Sequence, residues 1–217
     1  MKLFERFGKK LKNVHASQVD PSKFGDPVAL KTEWTPKSKS SSSFKTHILV
    51  QIQPQRIEFK STWGIKAFGL FFLAGSFMPI NDLLFSNPDD NTTGKIIFLS
   101  IITLLFFGFG FWMIYESIIP IVFDTQLKYF WKGWKPPNRI FNIKELKCYA
   151  LIEDIHALQL LSKSVSSDGG SYKAYELNIV LNDGSRLHVI GHGNGKVLQY
   201  DANTLAKFIN KPLWDAT

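Results

Sequence analysis

Cysteine is almost absent from this 217-residue chain, and its scarcity excludes two classes of small protein. Cys148 is the single thiol, so neither an intramolecular disulfide framework nor a multi-cysteine zinc site can form. The first residues, "MKLFERFGKKLKNV", also lack the apolar core that a signal peptide needs, and cleavage is therefore not expected.

Charge is missing from two long segments, which sets them apart from an otherwise polar sequence. Residues 63–85 carry only Lys66 and Asp82, both near the ends, and residues 96–115 carry no charge. About 20 apolar residues suffice for a helix to cross a bilayer. The sequence therefore predicts transmembrane helices over 63–85 and 96–116, joined by an extracytoplasmic loop over 86–95. Because no charge lies near the centre of either span, a pump or channel is disfavoured.

Positive charge lies outside these segments and predicts their orientation. The net charge is +8, and the residues before Thr62 include 12 Lys plus Arg against 5 acidic residues. Four more basic residues, Lys128, Lys132, Lys135 and Arg139, follow the second span. The positive-inside rule then places both termini in the cytoplasm, as in a multi-pass protein of the inner (plasma) membrane. Since this rule accounts for the charge, nucleic acid is not an expected partner.

Residues 1–46 form a basic region with little pattern, and we expect it to be largely flexible. Within it, residues 2–14 place their apolar side chains on one helical face and Lys9, Lys10 and Lys12 elsewhere. This arrangement is typical of an amphipathic helix on an anionic membrane surface. A frayed basic terminus explains the same residues equally well.

The remaining sequence alternates at the period of a β-strand and ends at the period of a helix. Residues 47–62 predict two short strands, and residues 117–217 predict a strand-rich cytoplasmic domain in which Asp183-Gly184 marks a tight hairpin. The helix is predicted at about 196–210, before Pro212, and one face should pack on the sheet through Leu198, Leu205, Phe208 and Ile209. The predicted fold class is a membrane α-hairpin joined to an α+β domain, with a curled antiparallel sheet capped by the C-terminal helix.

The stretch "HVIGHGNGKV" is the part of the sequence that most resembles a chemical site. His188 and His192 would share a face as metal ligands only on a helix, whereas their neighbours predict a strand. A phosphate loop would need a longer arc and a Ser or Thr after Lys196. We interpret the stretch as a strand with exposed histidines that turns into a helix, with Asn194 as the cap. The sequence therefore predicts no catalytic, cofactor-binding or metal-binding residues, and no cofactor.

The order of these elements resembles that of two-span bacterial membrane proteins with a pleckstrin-homology-like cytoplasmic domain. The segments "DANTLAKFINKPLW" and "FDTQLKYFWKGW" are also similar to segments of the photosystem I assembly protein family of cyanobacteria and chloroplasts. The likeness covers roughly residues 63–214. It implies a pleckstrin-homology-like fold and a scaffolding or assembly role without enzyme activity.

Three functions from different classes fit this sequence. The leading hypothesis is a membrane-anchored binding or assembly module that engages a protein partner at the cytoplasmic membrane surface, without catalysis. The first alternative is an immunity protein that neutralises a membrane-acting toxin, and the second is a membrane-embedded enzyme. The expected partners are the membrane and another protein, and a homo-oligomer is compatible with the sequence.

Overall fold

The computed structural model describes residues 13–16, 19–38, 42–85, 92–140, 146, 148–167 and 170–217. The chain divides into a sheet-rich unit, Met1–Phe59 with Pro120–Thr217, and a helical unit, Lys60–Ile119. Lys9, Lys10, Lys12 and loop residues 86–91 lie outside the described residues, so the expectations for them stay predictions.

The described residues form ten strands and five α-helices. The strands are β1 (Asn13–Ala16), β2 (His47–Gln53), β3 (Arg56–Ser61), β4 (Ile121–Asp124), β5 (Tyr129–Lys132), β6 (Tyr149–Leu151), β7 (Ile155–Ser167), β8 (Gly170–Leu181), β9 (Arg186–His192) and β10 (Leu213–Ala216). The helices are α1 (Pro27–Lys31), α2 (Trp63–Gly75), α3 (Phe77–Phe85), α4 (Thr93–Ile118) and α5 (Gly195–Ile209).

The helical unit contains two stretches long and apolar enough to cross a membrane, Trp63–Phe85 and Thr93–Ile118. This confirms that the chain has two helices of membrane-spanning length and composition. The first stretch differs from the uninterrupted helix that we predicted, because α2 and α3 meet at Ser76. Pro79 gives the physical reason, since it has no N–H and its ring clashes with the carbonyl four residues earlier.

The sheet-rich unit contains two five-stranded sheets rather than the single curled sheet predicted from the sequence. The first sheet has the order β1-β7-β8-β9, with β10 also paired to β7, and the second has the order β2-β3-β4-β5-β6. The pairs β1–β7, β3–β4, β4–β5, β5–β6, β7–β8 and β8–β9 are antiparallel, whereas β10 runs parallel to β7. β10 was not predicted, because four residues after a proline carry too short an alternation to indicate a strand.

The main core of the sheet-rich unit lies between the two sheets and α5. Each sheet contributes alternate side chains to it, including Phe59 and Phe123 from the second sheet and Leu160 from the first. Helix α5 buries Leu198, Leu205 and Ile209 there, and Phe208 is partly buried against the same cluster. The helix therefore covers one face of the first sheet and leaves the opposite face to another part of the chain.

That opposite face is covered by residues 20–38, a region for which the sequence predicted flexibility. Asp20 caps the 3₁₀ turn Pro21–Phe24, and Asp26 caps α1, in both cases by accepting a backbone N–H. Proline begins each of these turns, where its missing N–H costs nothing. Ala29 is buried in a second apolar cluster with Ala157 and Val180 of the first sheet. These contacts fix a segment that composition alone would leave mobile.

Candidate functional site: a polar sheet face that binds the backbone of residues 33–38

The first sheet has one apolar face and one face that is largely polar. Because successive side chains on a strand point to opposite sides, Leu158 and Leu160 enter the main core while Gln159 points the other way. The residues of the polar face are Gln159, Lys163, Glu176, Asn178, Arg186 and His188, and all but His188 are buried. A buried polar face of this size requires hydrogen-bond partners.

An ion pair that is fully buried lies at the centre of this face. Lys163 Nζ is 3.1 Å from Glu176 Oε2, and neither side chain is exposed to solvent. Asn178 Nδ2 donates to Glu176 Oε1 at 2.9 Å and also lies 3.3 Å from Gln159 Oε1. Removing one partner from such a pair costs much more than the pair itself contributes, because a buried charge is left uncompensated.

Residues 33–38, which we call the strap, supply further partners to the ion pair through their backbone. The N–H groups of Lys37 and Ser38 donate to the two oxygens of the Glu176 carboxylate, at 2.7 and 2.9 Å. Lys163 Nζ donates to the carbonyl oxygen of Ser38 at 2.6 Å. Both ions are therefore bonded to peptide groups of the strap as well as to each other.

Two more side chains of the sheet hold the beginning of the strap. Arg186 Nη1 donates to the carbonyl oxygen of Thr35 at 2.8 Å, and Gln159 Nε2 donates to that of Glu33 at 3.0 Å. The side chain of Glu33 is 81% exposed, although it lies 3.0 Å from Arg186 Nη2. We call Gln159, Lys163, Glu176 and Arg186 the peptide clasp, because they bind backbone atoms of the strap.

An aromatic cluster fixes the strap at its start. Trp34 stacks on Phe24 with ring centroids 4.9 Å apart, and Trp214 of β10 lies 5.8 Å from Trp34. The indole N–H of Trp34 donates to the carbonyl oxygen of Ala29 at 2.9 Å. The clasp thus forms hydrogen bonds with backbone atoms of the strap, whereas the aromatic cluster packs against one of its side chains, Trp34.

The electrostatics of the clasp favour the ionised form of Glu176. Burial by itself would raise the pKa of Glu176, but the N–H of Ser38, the neighbouring His188, the Asn178 amide and the N–H of Lys37 together bring it below its ordinary value. Burial, reinforced by the positive charge of Lys132, lowers the pKa of His188 to about 4. At neutral pH the face therefore carries a carboxylate beside a neutral imidazole.

The histidine- and glycine-rich stretch is a strand followed by a helix, as the sequence predicted, but its histidines are not exposed. His192 is completely buried at the end of β9, and Asn194 caps α5 by accepting the N–H of Val197. A Cβ at Gly193 would collide with the backbone of Ser43, and one at Gly195 with the ring of Tyr175. These glycines permit close packing, which explains them without a phosphate.

A smaller group of buried ionisable side chains lies around His192. Burial and the charge of Lys45 lower the pKa of His192 to about 4. Burial and the nearby His192 lower the pKa of His47 to about 4 as well. Burial raises the pKa of Asp201 on α5. Over the ranges that the structure describes, no group of three or more His, Cys, Asp or Glu side chains has the geometry to hold a metal ion.

The peptide clasp was missed by the sequence analysis, although a signal was present. Gln159 and Lys163 on β7, and Glu176 and Asn178 on β8, are separated by an even number of positions, which places each pair on one face of its own strand. Leu198, Leu205, Phe208 and Ile209, the helix residues singled out from the sequence, belong to the main core on the opposite face. The structure does not bring them to the clasp.

Comparison of this chain with protein-family models, curated proteins and solved structures found no match.

Proposed function

We propose that this chain is a membrane-anchored binding or assembly module whose sheet-rich unit binds the backbone of a segment of a protein partner. The observation that carries the proposal is the peptide clasp, which bonds to backbone N–H and carbonyl groups of residues 33–38. Recognition through main-chain groups gives affinity with little dependence on sequence, and a neighbouring pocket for one side chain gives specificity. Here Phe24 and Trp214, which contact the ring of Trp34, provide the apolar surface for one side chain.

In this proposal the strap occupies the clasp in the free protein, and a segment of the partner takes its place. Such exchange suits the clasp because the buried Lys163–Glu176 pair requires peptide groups over it in either state. A competing internal segment also lowers the apparent affinity for weak partners, since only the open fraction binds. The partner must therefore supply both free backbone groups and an aromatic or other apolar anchor.

The element order supports a pleckstrin-homology-like fold for the sheet-rich unit. The strands β2–β6 form one antiparallel sheet, β7–β9 form most of the other, and α5 follows and packs on the core between them. The apolar helices are inserted between β3 and β4, and β1, the strap and β10 are additions to that plan. Fold likeness alone does not determine function, so the clasp remains the basis of the proposal.

Cutting the strap from the rest of the chain tests whether the clasp is an exchangeable peptide site. We would place a protease recognition sequence at residues 39–41 of the full-length protein, with an affinity tag at the N-terminus. After cleavage we expect the N-terminal fragment to stay bound during gel filtration and to be displaced by an excess of a synthetic peptide of residues 13–38.

Two carboxylate-to-amide variants make the cleavage experiment specific. Glu176→Gln should release the fragment, because loss of a buried charge partner costs about 3–5 kcal/mol, more than a hundredfold in affinity. Glu33→Gln is the matched control, because the Glu33 side chain is 81% exposed and an amide oxygen there can still accept from Arg186. Spontaneous release from the wild type, or equal retention by both variants, would contradict the proposal.

A further inference from the structure

The loop after β5 exposes a tryptophan in a stretch without negative charge. Trp134 is 59% exposed, and the nearby Lys135 and Arg139 are exposed too. Between Asp124 and Glu145 the sequence contains five basic residues and no acidic one. We call residues 133–139 the Trp134 loop.

The Trp134 loop lies at one end of the second sheet. At this same end β3 leads into the apolar helices and β4 begins after them. Ile121, the first residue of β4, is paired with both Phe59 of β3 and Lys132 of β5. The N–H of Gly133 donates to the carbonyl oxygen of Pro120 at 3.0 Å. The loop therefore begins beside the residue that follows the helical unit directly in the chain.

The conformation of this loop is fixed, so the exposure of Trp134 is a stable feature of its surface. The indole N–H of Trp131 donates to the carbonyl oxygen of Gly133 at 3.1 Å. Pro136 and Pro137 have restricted φ angles. A 3₁₀ turn over Pro137–Arg139 follows, in which the Arg139 N–H donates to the carbonyl oxygen of Pro136. The exposed indole of Trp134 is therefore available to an apolar or interfacial partner.

We propose that the Trp134 loop is a membrane-docking surface that inserts Trp134 into the interfacial layer of an anionic phospholipid bilayer. Tryptophan favours this layer because its ring is apolar and its N–H can bond to water or head groups. Lys135 and Arg139 provide the charge complementary to anionic head groups. The inference rests on the part of the proposed function that anchors the helical unit in a membrane.

Spin labelling of the full-length protein in vesicles tests this surface. In a Cys148→Ser background, Asn138→Cys reports on the loop and leaves Trp134 in place, and Asn203→Cys on α5 is the matched control, since both asparagines are exposed. Leu104→Cys, at a position that is 70% exposed on α4, reports on insertion of the helix. Each label would be probed for collision with oxygen and with a water-soluble nickel chelate, in phosphatidylcholine vesicles with and without phosphatidylglycerol.

We expect the label at residue 138 to lose access to nickel when phosphatidylglycerol is present, and the label at residue 203 to be unaffected. Trp134→Ser should restore access, and Lys135→Gln and Arg139→Gln should each weaken docking about fivefold. A label at 138 that stays aqueous in both lipids, while the label at 104 is in lipid, would overturn the docking surface and leave the anchoring intact. An aqueous label at 104 would refute the anchoring and the docking surface together, whereas the cleavage experiment tests the clasp independently of both.

Discussion

Lys163 and Glu176 show how single residues of this protein depend on distant parts of the chain. Each is fully buried, and each is bonded both to the other and to the backbone of Ser38, more than 120 residues away in sequence. Burying either charge without these partners would cost about 3–5 kcal/mol. The strap is therefore a structural requirement of the clasp as well as its occupant.

The buried histidines make the stability of the sheet-rich unit sensitive to acid. His192 has a pKa of about 4 in the folded protein against an ordinary value of 6.5. Between these two values the unfolded chain binds a proton that the folded chain does not, so stability decreases as the pH falls from 6.5 to 4. One proton corresponds to a slope of about 1.4 kcal/mol per pH unit.

The variant His192→Gln removes one group that binds a proton on unfolding in this pH range. The glutamine side chain keeps an acceptor for the N–H of Asn194, which lies 3.2 Å from His192 Nδ1. We expect it to flatten the pH dependence of the free energy of unfolding, measured by denaturant titration across that window. His47 and His188 titrate in the same direction, so the slope should shrink without vanishing. A variant with the wild-type slope would show that His192 is not the source.

Residue-scale features were the least predictable from the sequence. The contact between Lys163 and Glu176 depends on the register of β7 and β8, in which Lys163 pairs with Ala174 and Leu161 with Glu176. A shift of one residue would move one strand's side chains to the opposite face. Alternation indicated the faces, but neither the register nor the covering strap could be read from alternation.

At the scale of elements, the apolar helices were predicted best because their signal is local. Length and lack of charge define a spanning helix, whereas the parallel pairing of β10 with Leu158–Leu161 depends on residues more than 50 positions away.

The helical unit also shows why small residues recur in both stretches. At Gly110 a Cβ would lie 2.8 Å from the backbone nitrogen of Leu73 and 2.9 Å from the carbonyl oxygen of Gly69.

Leucine substitution at two glycines of α4 tests this helix contact. Gly110→Leu should separate α4 from α2, because backbone atoms cannot move out of the way of the new side chain. Gly108→Leu is the matched control, since a Cβ there meets nothing within 4 Å. Spin labels at Phe71 and Leu105, both exposed, would report the change as a longer and broader distance distribution for Gly110→Leu alone. Equal distributions for the two variants would contradict the close approach.

At the scale of the whole molecule, the apolar helices interrupt a β-sheet rather than precede or follow it. Phe59 of β3 and Ile121 of β4 are ladder partners, although residues 60–120 separate them in the chain. Two residues paired in one sheet must be on the same side of a bilayer. The inserted segment therefore crosses any membrane an even number of times, and this requirement is independent of the charge rule that predicted the same topology.

The sheet pairing and the positive-inside rule together predict that both termini face the cytoplasm and that the connection between the helices faces outward. In a Cys148→Ser background, Asp89→Cys should react with a membrane-impermeant maleimide on intact cells, because basic residues hold the sheet-rich unit inside. Asn203→Cys on α5 should react only after the cells are opened. The reverse labelling pattern would leave the sheet pairing intact and overturn the charge argument. Labelling of both positions on intact cells would mean that the chain does not cross the membrane as a hairpin, because the sheet and the helix connection would then lie on one side.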